Sequence, residues 1–192
     1  MFLRRLNLDT ATDRAVASEL FLATPSYELD TYGRLPSADT AQALSQRFPE
    51  DCLPENRLTL AAFDHDQPIG LAQIALHAPE RDSAALLLLL VPTHLQHRHI
   101  GCEIVERLSR QARRWDGISR WYISVMESNT GGLAFWRHCG FRTTSHALAW
   151  EGMNDRVSLM GRAIKARPAC QHHRGTEDAQ AVIARHLLAR VA

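Results

Sequence analysis

Residues 91–102 read Val-Pro-Thr-His-Leu-Gln-His-Arg-His-Ile-Gly-Cys and join an apolar run, residues 86–90, to an amphipathic stretch. Their types suit one task, the binding of an anion. A loop between a buried strand and a new helix can turn its backbone N–H groups inward. The first turn of the helix adds unsatisfied N–H groups and the positive end of its dipole. A diphosphate fits such a cradle, and Arg98 would add a fixed charge. His94, His97 and His99 lie in the same loop, and with an unperturbed pKa of about 6.5 a phosphate would favour their charged forms. Three histidines this close also raise a metal site, but as loop residues they read as plain surface side chains, and no metal is assigned. The same holds for Cys170-Gln171-His172-His173, which lacks a fourth ligand at a recognisable spacing.

These residues need elements to hold them. Ile104, Val105, Leu108, Ala112 and Trp115 recur at helical spacing, which predicts a helix of about three to four turns starting near Gly101. The strand before the cradle, residues 84–91, is apolar on both faces and should lie centrally with helices covering it. A second apolar strand, residues 118–126, follows the long helix and should run parallel to it. Residues 57–63 and 69–77 read as strands around the turn Asp64-His65-Asp66-Gln67-Pro68, and residues 143–150 and 156–164 as a closing hairpin. At the N-terminus, residues 2–8 read as a strand, followed by a helix through Ala15, Val16, Glu19, Leu20 and Ala23. Residues 24–36 hold two prolines and a glycine and read as a loop with a broken helix; Ser37 should cap a helix through Ala41, Leu44 and Phe48.

About 30 residues past the cradle stands Asn129-Thr130-Gly131-Gly132-Leu133-Ala134-Phe135-Trp136-Arg137-His138-Cys139-Gly140-Phe141. It resembles the Asn-x-x-Ala-x-x-Phe/Leu-Tyr-x-x-x-Gly-Phe segment of the GNAT superfamily, the acyl-CoA-dependent N-acetyltransferases. Gln96-His97-Arg98-His99-Ile100-Gly101 resembles that family's Gln/Arg-x-x-Gly-x-Gly/Ala signature, in the same order and spacing. His99 stands where the first glycine is usual, so the loop needs a backbone geometry that a residue with a Cβ can adopt. Trp136 stands where a tyrosine is usual. With Pro25-Ser26-Tyr27 and Gly33-x-x-Pro36, it resembles a bacterial subset without an assigned substrate. The resemblance covers residues 1–164 as one domain. It implies an α/β fold with a mixed, mostly antiparallel sheet of six to seven strands, a splayed parallel central pair and flanking helices.

The resemblance also implies roles. Backbone groups at Leu89, Leu90 and Val91 would take the pantetheine arm of acetyl-CoA. The diphosphate would sit on Gln96, His97, Arg98, His99, Ile100, Gly101 and Cys102. Asn129 would bond the pantetheine arm while capping its own helix, and Phe135 and Trp136 would line the channel. An indole cannot release a proton as a tyrosine does, but a thiol of pKa about 8.5 leaves tolerably as its anion near neutral pH. The general base is Glu127 or His77, each at a strand end, because the strand before the cradle carries only leucines where relatives often have a glutamate. Tyr27 and Tyr32 would wall the acceptor pocket, with Glu28 or Asp30 attracting an ammonium. Cys139 reads as filler beneath the last helix.

At 192 residues the chain suits one domain. Lys and Arg total 22 against 21 for Asp and Glu, which argues against a nucleic-acid or membrane partner. Four scattered cysteines without a C-x-x-C pair read as reduced thiols in a cytoplasmic protein. Residues 165–192 form a linker and an amphipathic helix, capped by Thr176 with an apolar stripe of Ala179, Val182, Ile183, Leu187 and Val191, which could dock in cis or make a homodimer. The expected activity is direct acetyl transfer to a primary amine in a ternary complex, on a small molecule or on a protein N-terminus or lysine. The alternative is a non-catalytic module of the same fold that binds coenzyme A or a protein partner.

Overall fold

Leu58 to Phe63, Leu71 to Ala75 and Ala84 to Leu86 are almost wholly buried, so their strands must be covered on both faces. The computed structural model describes residues 1–37, 39–148 and 156–164 and meets that demand with helices on each side of a seven-stranded sheet. The strands are β1 (Phe2–Arg5), β2 (Arg57–Asp64), β3 (Gln67–Leu76), β4 (Ser83–Leu90), β5 (Arg120–Met126), β6 (Arg142–Leu148) and β7 (Val157–Ala163). Their order is β1-β2-β3-β4-β5-β7-β6, and β4 with β5 is the one parallel pair among the described residues. The crossover between those two strands is the long helix α4 (Ile100–Ala112), as a parallel connection requires.

Three shorter helices precede β2. Helix α1 (Ala11–Leu22) starts at Thr10, whose hydroxyl accepts from Asp13 N at 3.3 Å. Helix α2 (Pro25–Tyr32) occupies most of the segment read as a loop with a broken helix. Its proline stands at the first helical positions and Gly33, at φ 67°, closes it, so the residues read as breakers serve as helix punctuation. Helix α3 (Thr40–Ala43) passes into a 3-10 turn, Leu44–Gln46; Ser37 does not cap it, its N–H instead donating to Thr40 Oγ1 at 2.8 Å. Helix α5 (Thr130–His138) follows β5. The strand read as 2–8 is shorter than expected, because Asn7 N–H bonds Asp13 Oδ2 at 2.7 Å and turns the chain into α1.

The two faces of the sheet carry different cores. Ile104, Val105 and Leu108 of α4, none more than 2% exposed, pack with Leu133 on Ala84, Leu86, Trp121 and Ile123. Each such burial contributes about 1.5–3 kcal/mol. Ala17, Leu20, Phe21, Ala41 and Leu44 cover Leu71, Leu88 and Leu90 on the opposite face. Along β4 the alternation breaks once. Ile74 pairs with Leu86 and Gln73 with Leu88, so Leu87 is the extra residue of a β-bulge, and Leu88 turns to the face that Leu86 avoids. The tail, residues 165–192, and the hairpin turn, residues 151–155, lie outside the described residues.

Candidate functional site

The bulge at Leu87 opens the site. Strands β4 and β5 pair at Ser83 with Arg120, Ala84 with Trp121 and Ala85 with Tyr122, and their pairing stops there. Beyond it, β5 continues through Met126 on β7 while β4 continues through Leu90 on β3. A bulge bends its strand and increases its twist, so the two strands diverge toward their C-terminal ends. The backbone edge of β4 at Leu89 and Leu90 then faces a cleft instead of a neighbouring strand.

The cradle lies at the mouth of that cleft. A 3-10 turn, Thr93–Leu95, follows β4, and Gln96 Nε2 donates to Val91 O at 3.0 Å, closing the loop on itself. His97 and His99 both stand in the left-handed region, at φ 60° and 61°, on either side of Arg98. Alternation of this kind turns successive N–H groups to one side. His99 is the N-cap of α4 without a side-chain cap bond, and the first internal bond of the helix is Glu103 N to His99 O at 3.0 Å. Among the described residues, the N–H groups of Ile100, Gly101 and Cys102 therefore point out of the helix end without a backbone partner. His94, His97, Arg98 and His99 are exposed around them. His99, at the position where the resembled signature has glycine, holds this left-handed conformation, and histidine is a residue type enriched at positive φ.

Helix α5 forms the other wall. Asn129 Oδ1 accepts from Gly132 N at 2.7 Å, so the expected cap is present and the amide nitrogen of Asn129 remains for a ligand. A Cβ on Gly101 would lie 3.0 Å from the Phe135 ring and 3.7 Å from Val91 Cγ2, which brings the end of β4, the cradle and α5 to one place. Trp136 packs edge-on against Phe135 and Phe141, with ring centroids 4.8 and 5.1 Å away. Val91, Gly101 and Phe135 meet at one place, with Trp136 behind Phe135 and Asn129 at the N-terminus of the same helix.

The proton-transfer candidates separate. Glu127 follows β5 at the splayed end, half-buried, and accepts from Ser158 Oγ at 3.1 Å. His77 stands at the other end of the sheet. Leu76 pairs with Ala84, and the rise from Ala84 to Leu90, at about 3.3 Å per residue, puts it about 20 Å from the mouth. Its Nδ1 is within 2.6 Å of Arg81 O. The expectation that His77 serves as base is corrected by strand direction: β3 runs antiparallel to β4, so its C-terminus lies away from the cleft.

The acceptor-side residues also divide. Thr93 N donates to Ala23 O at 2.9 Å, which seats the start of α2 beside the end of β4. Tyr27 packs on the core that includes Leu88 and Leu90, its ring 6.4 Å from that of Tyr32. Desolvation, with Tyr32 adding, pushes the Tyr27 phenol above its ordinary range. Asp30 is exposed and available. Glu28 has no exposed surface; its Oε1 lies 2.9 Å from Arg47 Nη2 and its Oε2 3.9 Å from Arg34 Nε. The expectation that Glu28 attracts an ammonium is corrected, because its carboxylate is wholly buried with Arg47 as its near ion-pair partner, although neither of its oxygens has a hydrogen-bond partner among the described residues. Arg47 in turn lies over Tyr32, 4.8 Å from the ring centre to Cζ.

One cluster has no counterpart in the sequence reading. The possible ligand atoms of His99, Cys102 and His138 lie within 4.8 Å of one another, and Cys139 Sγ is 3.8 Å from Cys102 Sγ. Burial pushes the Cys139 thiol up to about 12, the Cys102 thiol adding to the shift. No local spacing betrays this grouping, since Cys102 and Cys139 are 37 residues apart.

Comparison with known proteins agrees with this fold. The family model described as "Acetyltransferase (GNAT) family" matches residues 20–141. An acetyltransferase from Thermus thermophilus is similar in structure at 25% identity and a TM-score of 0.65, covering 85% of this chain and 97% of its own. An aminoglycoside 6'-N-acetyltransferase complexed with coenzyme A is similar at 15% identity and a TM-score of 0.64, covering 88% and 99%. The ribosomal-protein-S18-alanine N-acetyltransferase from Escherichia coli gives 13% and 0.59, covering 90% and 99%. No curated protein matches the chain at a significant level. Among the described residues no helix is long and apolar enough to cross a membrane.

Proposed function

The chain belongs to the GNAT acetyltransferase family, and from that premise we propose that it transfers the acetyl group of acetyl-CoA to a primary amine by direct attack in a ternary complex. The observation that carries this reading is the cleft between β4 and β5 with a helix N-terminus at its mouth. The family's acyl donor fits the residues present. Gly101 leaves the space beside Phe135 that a Cβ would fill, and the N–H groups of residues 100–102 are directed outward for an anion.

Acetyl-CoA supplies the reactive thioester. The chain supplies the rest. The N–H groups from His97 to Cys102 and the Arg98 side chain hold the diphosphate. The open edge of β4 at Leu89 and Leu90 and the amide of Asn129 hold the pantetheine arm and orient the carbonyl. Phe135 excludes water on the α5 side. Glu127, at the splayed end, accepts the amine proton through a water molecule, and Ser158 fixes its carboxylate. Asp30 attracts the ammonium form of the acceptor, while Tyr32 forms the wall that Arg47 braces. Trp136 donates no proton, its ring being packed between Phe135 and Phe141, so the thiolate leaves as the anion.

The test is acceptor-dependent release of coenzyme A thiol across a panel of polyamines, aminoglycosides, amino acids and peptides with free N-termini. The proposal expects release that saturates with one of these amines and falls at least tenfold in Glu127→Gln. Asp30→Asn should raise the acceptor KM and leave acetyl-CoA affinity unchanged. Release that no amine accelerates would favour the non-catalytic module, and unchanged turnover in Glu127→Gln would remove Glu127 from its role.

A further inference from the structure

The exposed imidazoles of His99 and His138 and the half-exposed thiol of Cys102 converge where the start of α4 meets the end of α5, and the Cys139 thiol lies beside Cys102. His99 and Cys102 come from the cap and first turn of α4, His138 and Cys139 from the last residue and cap of α5. The fold holds both pairs in place. Gly101 packs on Phe135, Cys139 N donates to Phe135 O at 2.9 Å, and Arg162 Nη1 donates to Cys139 O at 2.7 Å. Acyl transfer as proposed uses the backbone of His99 and Cys102 and none of these four side chains.

We propose that His99, Cys102, His138 and Cys139 form a binding site for a divalent transition metal of the zinc class. Tetrahedral zinc with Zn–S bonds of about 2.3 Å sets its sulfur atoms about 3.8 Å apart, the separation found between Cys102 and Cys139. The imidazole nitrogens of His99 and His138 and the Cys102 sulfur lie within 4.8 Å of one another, Cys139 stands outside that trio and adjoins it at Cys102, and side-chain rotations bring the four onto one ion. Soft thiolates with imidazoles select zinc, cobalt and copper over magnesium and calcium, which take oxygen ligands. Binding displaces the two thiol protons to solvent, and the two thiolates balance the charge of the ion. The exposed histidines leave an open path of entry. His99 holds a backbone conformation that glycine adopts without strain, and a ligand role gives its side chain a use there. The assignment stands apart from the acyl-transfer reading, because none of its ligand atoms takes part in that chemistry.

The test uses the full chain, freed of metal by a chelator and kept reduced with a phosphine, and titrated with Co²⁺. One equivalent should develop the visible bands of four-coordinate cobalt with a thiolate charge-transfer band, and Zn²⁺ should displace it. Cys102→Ser and His138→Ala should each weaken Zn²⁺ binding at least tenfold with the circular dichroism spectrum unchanged. A Cys170→Ser/His172→Ala/His173→Ala variant should bind as the parent does. In the unaltered chain, Zn²⁺ should slow alkylation of Cys102 and Cys139 and leave Cys170 unaffected, a readout that needs no variant to fold. Absence of cobalt bands, or bands lost only with the tail residues and protection confined to Cys170, would overturn the assignment.

Discussion

Replacing Arg47 by methionine removes the close partner of a fully buried carboxylate. Glu28 has no exposed surface, Arg47 Nη2 stands 2.9 Å from its Oε1, and the Arg47 side chain is 14% exposed. Arg34 is a poor substitute, at 3.9 Å and with 67% of its side chain in solvent. Breaking a buried pair on one side costs about 3–5 kcal/mol, since the remaining charge is left uncompensated. Methionine keeps most of the aliphatic packing but loses the guanidinium over Tyr32 and Phe21, whose centroids lie 4.8 and 5.5 Å from Cζ. For a chain of this size, that loss lowers Tm by about 6–20 °C, at about 2–4 °C per kcal/mol. Replacing both residues, Glu28→Met with Arg47→Met, removes both charges and should restore part of the loss, leaving the double variant more stable than Arg47→Met alone. Urea unfolding of the parent, both single variants and the double variant measures the cycle. A cost below about 1 kcal/mol for Arg47→Met, or a double variant no better than the sum of the singles, would refute the internal pairing of Glu28. The role proposed for Asp30 in attracting the acceptor would then be shared with Glu28.

Other outcomes follow from local geometry. Asn129→Ala removes the cap of α5 and should cost about 0.5–2 kcal/mol in thermal or urea unfolding. Gly132→Ala should cost about as much, because its Cβ would lie 2.8 Å from the Asn129 side chain and evict it, and combining the two should add little. An additive double variant would contradict the shared cap. Asp13 is held below the usual carboxylate range, chiefly by Asn7 N–H and further by Arg4. Its contribution to stability is therefore present above its unfolded pKa of about 3.9 and is lost as pH falls through the folded value. Asp13→Asn should be less stable than the parent at pH 6, with the gap narrowing toward pH 2; a gap independent of pH would argue against the shift.

Elements whose signals are local were legible in the sequence. The apolar positions Ile104, Val105, Leu108 and Ala112 are all buried along α4, because a 3.6-residue period needs nothing beyond the helix itself. Asn129 caps α5 because cap and acceptor lie within one turn. The bulge at Leu87 was hidden because five consecutive leucines show no alternation to break. The end of the sheet on which His77 lies was available in principle: an antiparallel β3–β4 step carries its C-terminus away from the cleft, a consequence of strand direction that residue type alone does not convey. The Glu28–Arg47 pair and the Cys102–Cys139 approach join residues 19 and 37 positions apart, and tertiary packing alone brings them together.

The central claim is that the loop over residues 96–102 binds the diphosphate although histidines hold positive φ at 97 and 99. Calorimetric titration of the purified chain with acetyl-CoA, and with coenzyme A beside it, tests that claim directly. Micromolar binding of both, roughly −8 kcal/mol, is the predicted result. No measurable binding of either would contradict it.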